Sequence, residues 1–154
     1  MAPAKTIRTD AGLLSGKPEF GEDGLQLDEI GIDGQNKLLA AHALVIGAGG
    51  LGSPVALYLA SAGVGKITLV DHDVVDLTNL QRQIVHTTSR VGLHKAESAK
   101  QSLAQINPDT EVITVCHRAD AAMLASLVAD ASVVLDCTDN FATRHAINKA
   151  CVAA

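Results

Sequence analysis

From His42 onward, short and nearly continuous apolar runs alternate with longer segments of helical period. "HALVIG" (His42–Gly47), "KITLVD" (Lys66–Asp71), "EVITVC" (Glu111–Cys116) and "SVVLDCTD" (Ser132–Asp139) have the length and β-branched content of strands. Between them, "SPVALYLASAG" (Ser53–Gly63) opens on a capping-type serine with proline at the first helical position, and it stops at glycine. "HKAESAKQSLAQIN" (His94–Asn107) is amphipathic and is closed off by Pro108, which cannot continue a helix. "AAMLASLVAD" reads as a helix after the third strand, and the tail from Phe141 to Ala154 is also helical in pattern. Strands without polar alternation, separated by helices, predict an α/β fold with a doubly wound, mostly parallel sheet covered on both faces.

Upstream the pattern weakens. A helical period from Leu25 to Ala41 is interrupted by Gly31 and Gly34 and predicts two short helices. Residues 1–24 are punctuated by glycine and proline and read as an irregular arm in front of one nucleotide-binding domain, 25–154. Four strands are fewer than a doubly wound sheet normally carries. The chain also stops in mid-helix at "NKACVAA", so the domain is expected to be incomplete at its C-terminus.

Composition narrows the function classes. The 154 residues carry 12 basic and 17 acidic side chains, a formal charge of −5, and have no basic block. With one tyrosine, two phenylalanines and no tryptophan, few stacking platforms exist, which argues against a nucleic-acid partner. No segment reaches the roughly 20 apolar residues of a membrane span, and "MAPAKTIRTD" lacks the apolar run of a secretory signal. Cys116, Cys137 and Cys151 are odd in number and form no C-x-x-C pair, so they read as reduced thiols in a cytoplasmic protein.

The candidate chemistry begins at "GAGGLG", where Gly47, Gly49, Gly50 and Gly52 follow a strand and open a helix. In that context G-x-G-x-x-G lets the backbone turn tightly and approach a phosphate, with helix N–H groups facing the anion. Asp71, at the end of the second strand, is positioned to accept hydrogen bonds from a ribose. NAD and ATP both fit such a loop. They part in the polar stretch His72–Leu93 and just beyond it, where Asn79, Arg82 and Lys95 follow, and at Asp139 after the fourth strand. Carboxyl ends of strands line a common crevice in a doubly wound sheet. Two cations could there neutralise charge on a departing pyrophosphate, and Asp139 could hold Mg²⁺, which takes one or two carboxylates plus phosphate oxygens. Spacing alone leaves a blander reading open, in which Arg82 and Lys95 are solvated surface charges and Asp139 caps the last helix.

The glycine loop together with "NLQRQ", "HKAESA" and "CTDN", in that order and spacing from about Leu27 onward, resembles the MoeB/ThiF family. These are adenylyltransferases of small ubiquitin-like sulfur-carrier proteins, with a Rossmann-like fold related to the ubiquitin-activating enzymes. The resemblance implies joining the C-terminal glycine of a Gly-Gly-tailed carrier (molybdopterin or thiamine type) to AMP, with pyrophosphate released. It implies ATP and Mg²⁺ as cofactors and a homodimer as the working form. Residue by residue, Asp71 would hold the ribose, Gly47, Gly49 and Gly50 would lie near the nucleotide, and Asn79, Arg82 and Lys95 would contact phosphates. Asp139 would bind or orient Mg²⁺, and Arg82, Lys95 and Asp139 would be the catalytic set.

Two departures stand out. Counted back without gaps from Gly47, the family's "RYSRQ"-like segment falls on "FGEDG", which puts Asp23 where an arginine reaches a partner's ATP. The paired C-x-x-C zinc site of these families has no counterpart in the three cysteines, so zinc would belong to sequence beyond Ala154. Cys137 reads as strand packing, and His72, His86 and His94 read as surface or supporting groups. Two alternatives therefore accompany the adenylyltransferase: a degenerate, non-catalytic partner of the same fold, and an NAD-dependent oxidoreductase resting on the loop and Asp71 alone.

Overall fold

Residues 7–9, 12–14 and 31–154 are described by a computed structural model. In the arm, β1 (Ile7–Thr9) and β2 (Gly12–Leu14) pair antiparallel, with Ile7 opposite Leu14, where the sequence predicts irregular chain. Asp23 and the rest of the arm lie outside the described residues.

A single helix, α1 (Gly31–Ala40), replaces the second of the two expected short helices. It starts at Gly31, whose φ of 49° suits glycine, and Gly34 is carried inside it. The alternation then follows: β3 (His42–Ile46), α2 (Gly52–Ser61), β4 (Lys66–Val70), α3 (Lys95–Ile106), β5 (Glu111–Val115), α4 (Ala121–Ala129), β6 (Val133–Asp136) and α5 (Phe141–Ala153). All four body strands are parallel, in the order β5-β4-β3-β6.

Successive side chains of a strand point to opposite faces, so β3 feeds two cores at once. Ala43 and Val45, with Ile67 and Leu69 of β4, meet Ala56 and Ala60 of α2 and Ala96, Ala99 and Leu103 of α3. On the other face Leu44, Ile46 and Val70 meet Leu124 and Val128 of α4 and Ile147 of α5. Burial on both sides is why β3 reads as an unbroken apolar run. β5 and β6 are only partly covered, and Val133 on β6 is 46% exposed, so the expected double cover holds for the central strands and thins at the edges.

Strand order reverses between β3 and β6, where the chain that ran outward through β4 and β5 returns. In open parallel sheets that switch point opens a crevice at the carboxyl ends of the strands. Among the described residues no helix is long and apolar enough to cross a membrane.

Candidate functional site

The crevice is a cavity of about 650 Å³, a size suited to a nucleotide. Its floor is the turn from β3 to α2. Gly47 takes φ 99°, and a Cβ on it would lie 2.7 Å from the Cys137 carbonyl oxygen. A Cβ on Gly52 would lie 1.8 Å from the Gly47 oxygen. Only glycine allows strand, turn and helix to approach this closely. The helix begins at Gly52, one residue before the serine expected to cap it. Ser53 lies inside the first turn, fully buried, with no hydrogen-bond partner for its hydroxyl among the described residues.

Asp71 follows β4 and lines the cavity. One carboxylate oxygen accepts from the Ala48 N–H at 2.7 Å and the other from the Asp73 N–H at 2.9 Å. The carboxylate is thereby fixed against the glycine loop, half-buried, with further lone pairs available for ribose hydroxyls.

The polar stretch after Asp71 is anchored at several points. Val75 and Val85 are buried, and the Val75 N–H donates to the Leu93 carbonyl at 2.8 Å. Asp76 accepts from the backbone and hydroxyl of Thr78, capping the 3-10 turn Leu77–Asn79, and these bonds hold its carboxyl below the usual range. The Lys95 N–H donates to the Asp73 carbonyl at 2.9 Å, which brings the start of α3 beside the end of β4.

Lys95 consequently lines the cavity while only 6% exposed, with its ammonium 3.1 Å from Asp73 Oδ2. It is not a solvated surface charge, so that bland reading fails for it. Arg82 also lines the cavity and covers the loop, its Cγ 3.7 Å from a Cβ built on Gly50, but it is exposed and has no ion-pair partner among the described residues. Asn79 is not among the residues lining the cavity. Its backbone carbonyl accepts from the Arg82 and Gln83 N–H groups, and so supports the turn that carries Arg82.

On the opposite rim, Asp136 accepts from the Thr138 backbone N–H and hydroxyl, and Arg144 of α5 donates to the Thr138 carbonyl. Asn140, not Asp139, caps α5 by accepting from the Thr143 N–H. The expected strand Ser132–Asp139 is thus shorter than its apolar pattern. Asp139 lies in the fixed loop, exposed to the cavity, with no hydrogen-bond or ion-pair partner among the described residues. A carboxylate facing a nucleotide-sized cavity, with no partner among the described residues, fits a Mg²⁺ site. Cys137 is off the strand, half-buried and lining the cavity, and burial pushes its thiol pKa up.

Several participants escape the sequence patterns. Asp73 is the counter-ion of Lys95. Gln83 is buried behind Gly49, and its Oε1 has no hydrogen-bond partner among the described residues. His117 and Arg118, after β5, line the cavity, and Arg118 approaches the His72 ring at 3.4 Å. His86 is buried and bonded at both ring nitrogens, to Ser98 Oγ and to the Ala48 carbonyl, each at 2.9 Å, and burial lowers its pKa. These contacts span 12 and 38 residues of sequence, so no local spacing reveals them.

The profile of the ThiF family matches residues 22–154. The chain is 54% identical over 127 residues to the sulfur carrier protein ThiS adenylyltransferase of Escherichia coli K12, covering 82% of this chain and 51% of that protein. It is 49% identical over 122 residues to the molybdopterin-synthase adenylyltransferase of the same organism, covering 79% and 49%. Among solved structures, E. coli tRNA N6-threonylcarbamoyladenosine dehydratase in complex with ATP superposes with a TM-score of 0.75 at 35% identity, covering 79% of this chain and 50% of that one. The chain spans about half the length of these relatives.

Proposed function

The chain belongs to the ThiF family, and on that premise we propose that it acts in ATP-dependent adenylylation of the C-terminal glycine of a ubiquitin-like sulfur-carrier protein. The observation that carries this is the charge around the glycine loop: a buried Lys95 and an exposed Arg82 without an ion-pair partner among the described residues on one side, and on the other Asp139, which has no partner among the described residues. A hydride-transfer site has no use for two cations and an isolated carboxylate about its phosphates.

In this reaction a carrier carboxylate oxygen attacks the α-phosphorus of ATP. The bond from that phosphorus to the bridging oxygen breaks, and the electron pair leaves with pyrophosphate. No enzyme nucleophile is required. Asp71 holds the ribose, the loop amides face the phosphates, and Arg82 and Lys95 offset charge on the leaving group. Asp139 is the residue that would hold Mg²⁺, which supplies further neutralisation of the phosphate oxygens.

We further place the protein in the cytoplasm, consistent with free Cys116, Cys137 and Cys151, and expect a homodimer acting on a Gly-Gly-tailed partner. A carrier of the thiamine or molybdopterin type is favoured by the higher identity to those two relatives than to the tRNA dehydratase.

ATP–pyrophosphate exchange with Mg²⁺, with and without such a carrier, tests the proposal. Exchange that needs the carrier and disappears in Asp139→Ala supports it. Mg·ATP binding without exchange would instead favour a degenerate partner, consistent with Asp23 at the arginine position.

A further inference from the structure

The glycine loop holds a peptide whose orientation decides whether a phosphate meets an N–H or a carbonyl. That peptide joins Ala48 to Gly49. In a trans peptide the C=O and the following N–H point in opposite directions, so whatever fixes the Ala48 carbonyl also aims the Gly49 N–H. The Ala48 carbonyl is held by His86 Nε2 at 2.9 Å, on the buried side of the loop, with His86 only 6% exposed. Gly49 lines the cavity, and its N–H has no partner among the described residues. The preceding peptide is fixed independently, because the Ala48 N–H donates to Asp71.

The tautomer of His86 follows from its partners. A carbonyl oxygen can only accept, so Nε2 carries the proton, and Nδ1 accepts from the Ser98 hydroxyl at 2.9 Å. Ser98 is fully buried, one turn into the helix that begins at Lys95. His86 therefore ties the phosphate loop to the helix that supplies the buried cation.

We infer that His86 is a positioning residue for nucleotide binding, turning the Ala48 carbonyl inward so that the Gly49 N–H faces the phosphates. This rests on the nucleotide role proposed above. The consequence is selective. Loss of the bond releases an amide aimed at phosphate and leaves the ribose acceptor Asp71 untouched.

The test measures affinities of the full chain for Mg·ATP, AMP and adenosine by calorimetry, in wild type, His86→Leu and His86→Gln. A glutamine retains an N–H donor near the Nε2 position, and a leucine does not. His86→Leu is expected to weaken Mg·ATP and AMP by about tenfold, the scale of one hydrogen bond, with adenosine affinity unchanged. His86→Gln is expected to recover most of the loss. Should His86→Leu fail to fold, His86→Asn, polar but too short to reach Ala48, takes its place.

Equal losses for all three ligands would show a merely structural histidine and overturn the inference. Unchanged Mg·ATP affinity in His86→Leu would overturn it too, as would a glutamine variant no better than the leucine. A wild-type chain that binds none of the three ligands would remove the proposed function itself, and the inference with it.

Discussion

Lys95 illustrates how tertiary contacts set the surroundings of a single side chain. An ammonium that is 6% exposed is costly unless paired, and Asp73, itself about half exposed, supplies one carboxylate at 3.1 Å. The remaining ammonium protons stay available to a ligand in the cavity. Replacing Lys95 with methionine, which retains the buried stem, should lower carrier-dependent pyrophosphate exchange by about a hundredfold, the scale of one lost electrostatic donor. A loss below threefold would remove Lys95 from the reaction. Asp139→Asn should raise the Mg²⁺ concentration needed for half-maximal exchange, measured by Mg²⁺ titration at fixed ATP. His86 adds a pH dependence. Burial lowers its pKa below the ordinary imidazole value of about 6.5. The unfolded chain therefore takes up the proton first as pH falls. This contribution to stability is complete above about pH 6.5 and is lost progressively below it, down to the folded-state pKa. Thermal melts between pH 7.5 and 5.5 should show a steeper decline for wild type than for His86→Gln.

At the scale of elements, the β3–α2 turn is set by close backbone approach. A Cβ on Gly52 would lie 1.8 Å from the Gly47 oxygen, which is backbone and cannot swing aside. Gly52→Ala should therefore cost about 3 kcal/mol, at the upper end for forced overpacking. That corresponds to a fall in Tm on the order of 10 °C for a domain of this size, measured by calorimetry; a shift below 2 °C would mean the turn can relax. The unbroken apolar run of β3 and the 3.6-fold period of α3 are visible in the sequence, because burial on both faces of a strand, or on one face of a helix, is imposed on near neighbours by a repeating backbone. Helix starts are less visible. Ser53 has the residue type of a cap but lies inside the first turn, since the position of Gly52 against Gly47 fixes where α2 begins.

Across the whole molecule, burial is graded from the centre outward. All five residues of β3 and four of five in β4 are buried, whereas β5 and β6 are partly open. Amide hydrogen exchange should be slowest in β3 and β4 and measurably faster in β6, whose outer edge has no paired strand among the described residues. Uniform protection would mean that the β6 edge is covered in solution. The proposed homodimer makes a separate expectation, a sedimentation equilibrium mass near twice 15.9 kDa.

The sequence by itself determined the parallel α/β fold, the glycine turn and the chemical types gathered near it, because apolar period, glycine and charge are local properties of the chain. It could not distinguish Lys95 from a surface lysine or Asp139 from a helix cap. Those outcomes depend on where the polar loop is fastened and on Asn140 taking the cap instead. Only the tertiary structure decided that His86, far from Ala48 in sequence, would hold the loop's carbonyl and complete the setting of its amide. Such a contact forms when the sheet brings distant segments together, and no period along the chain encodes it.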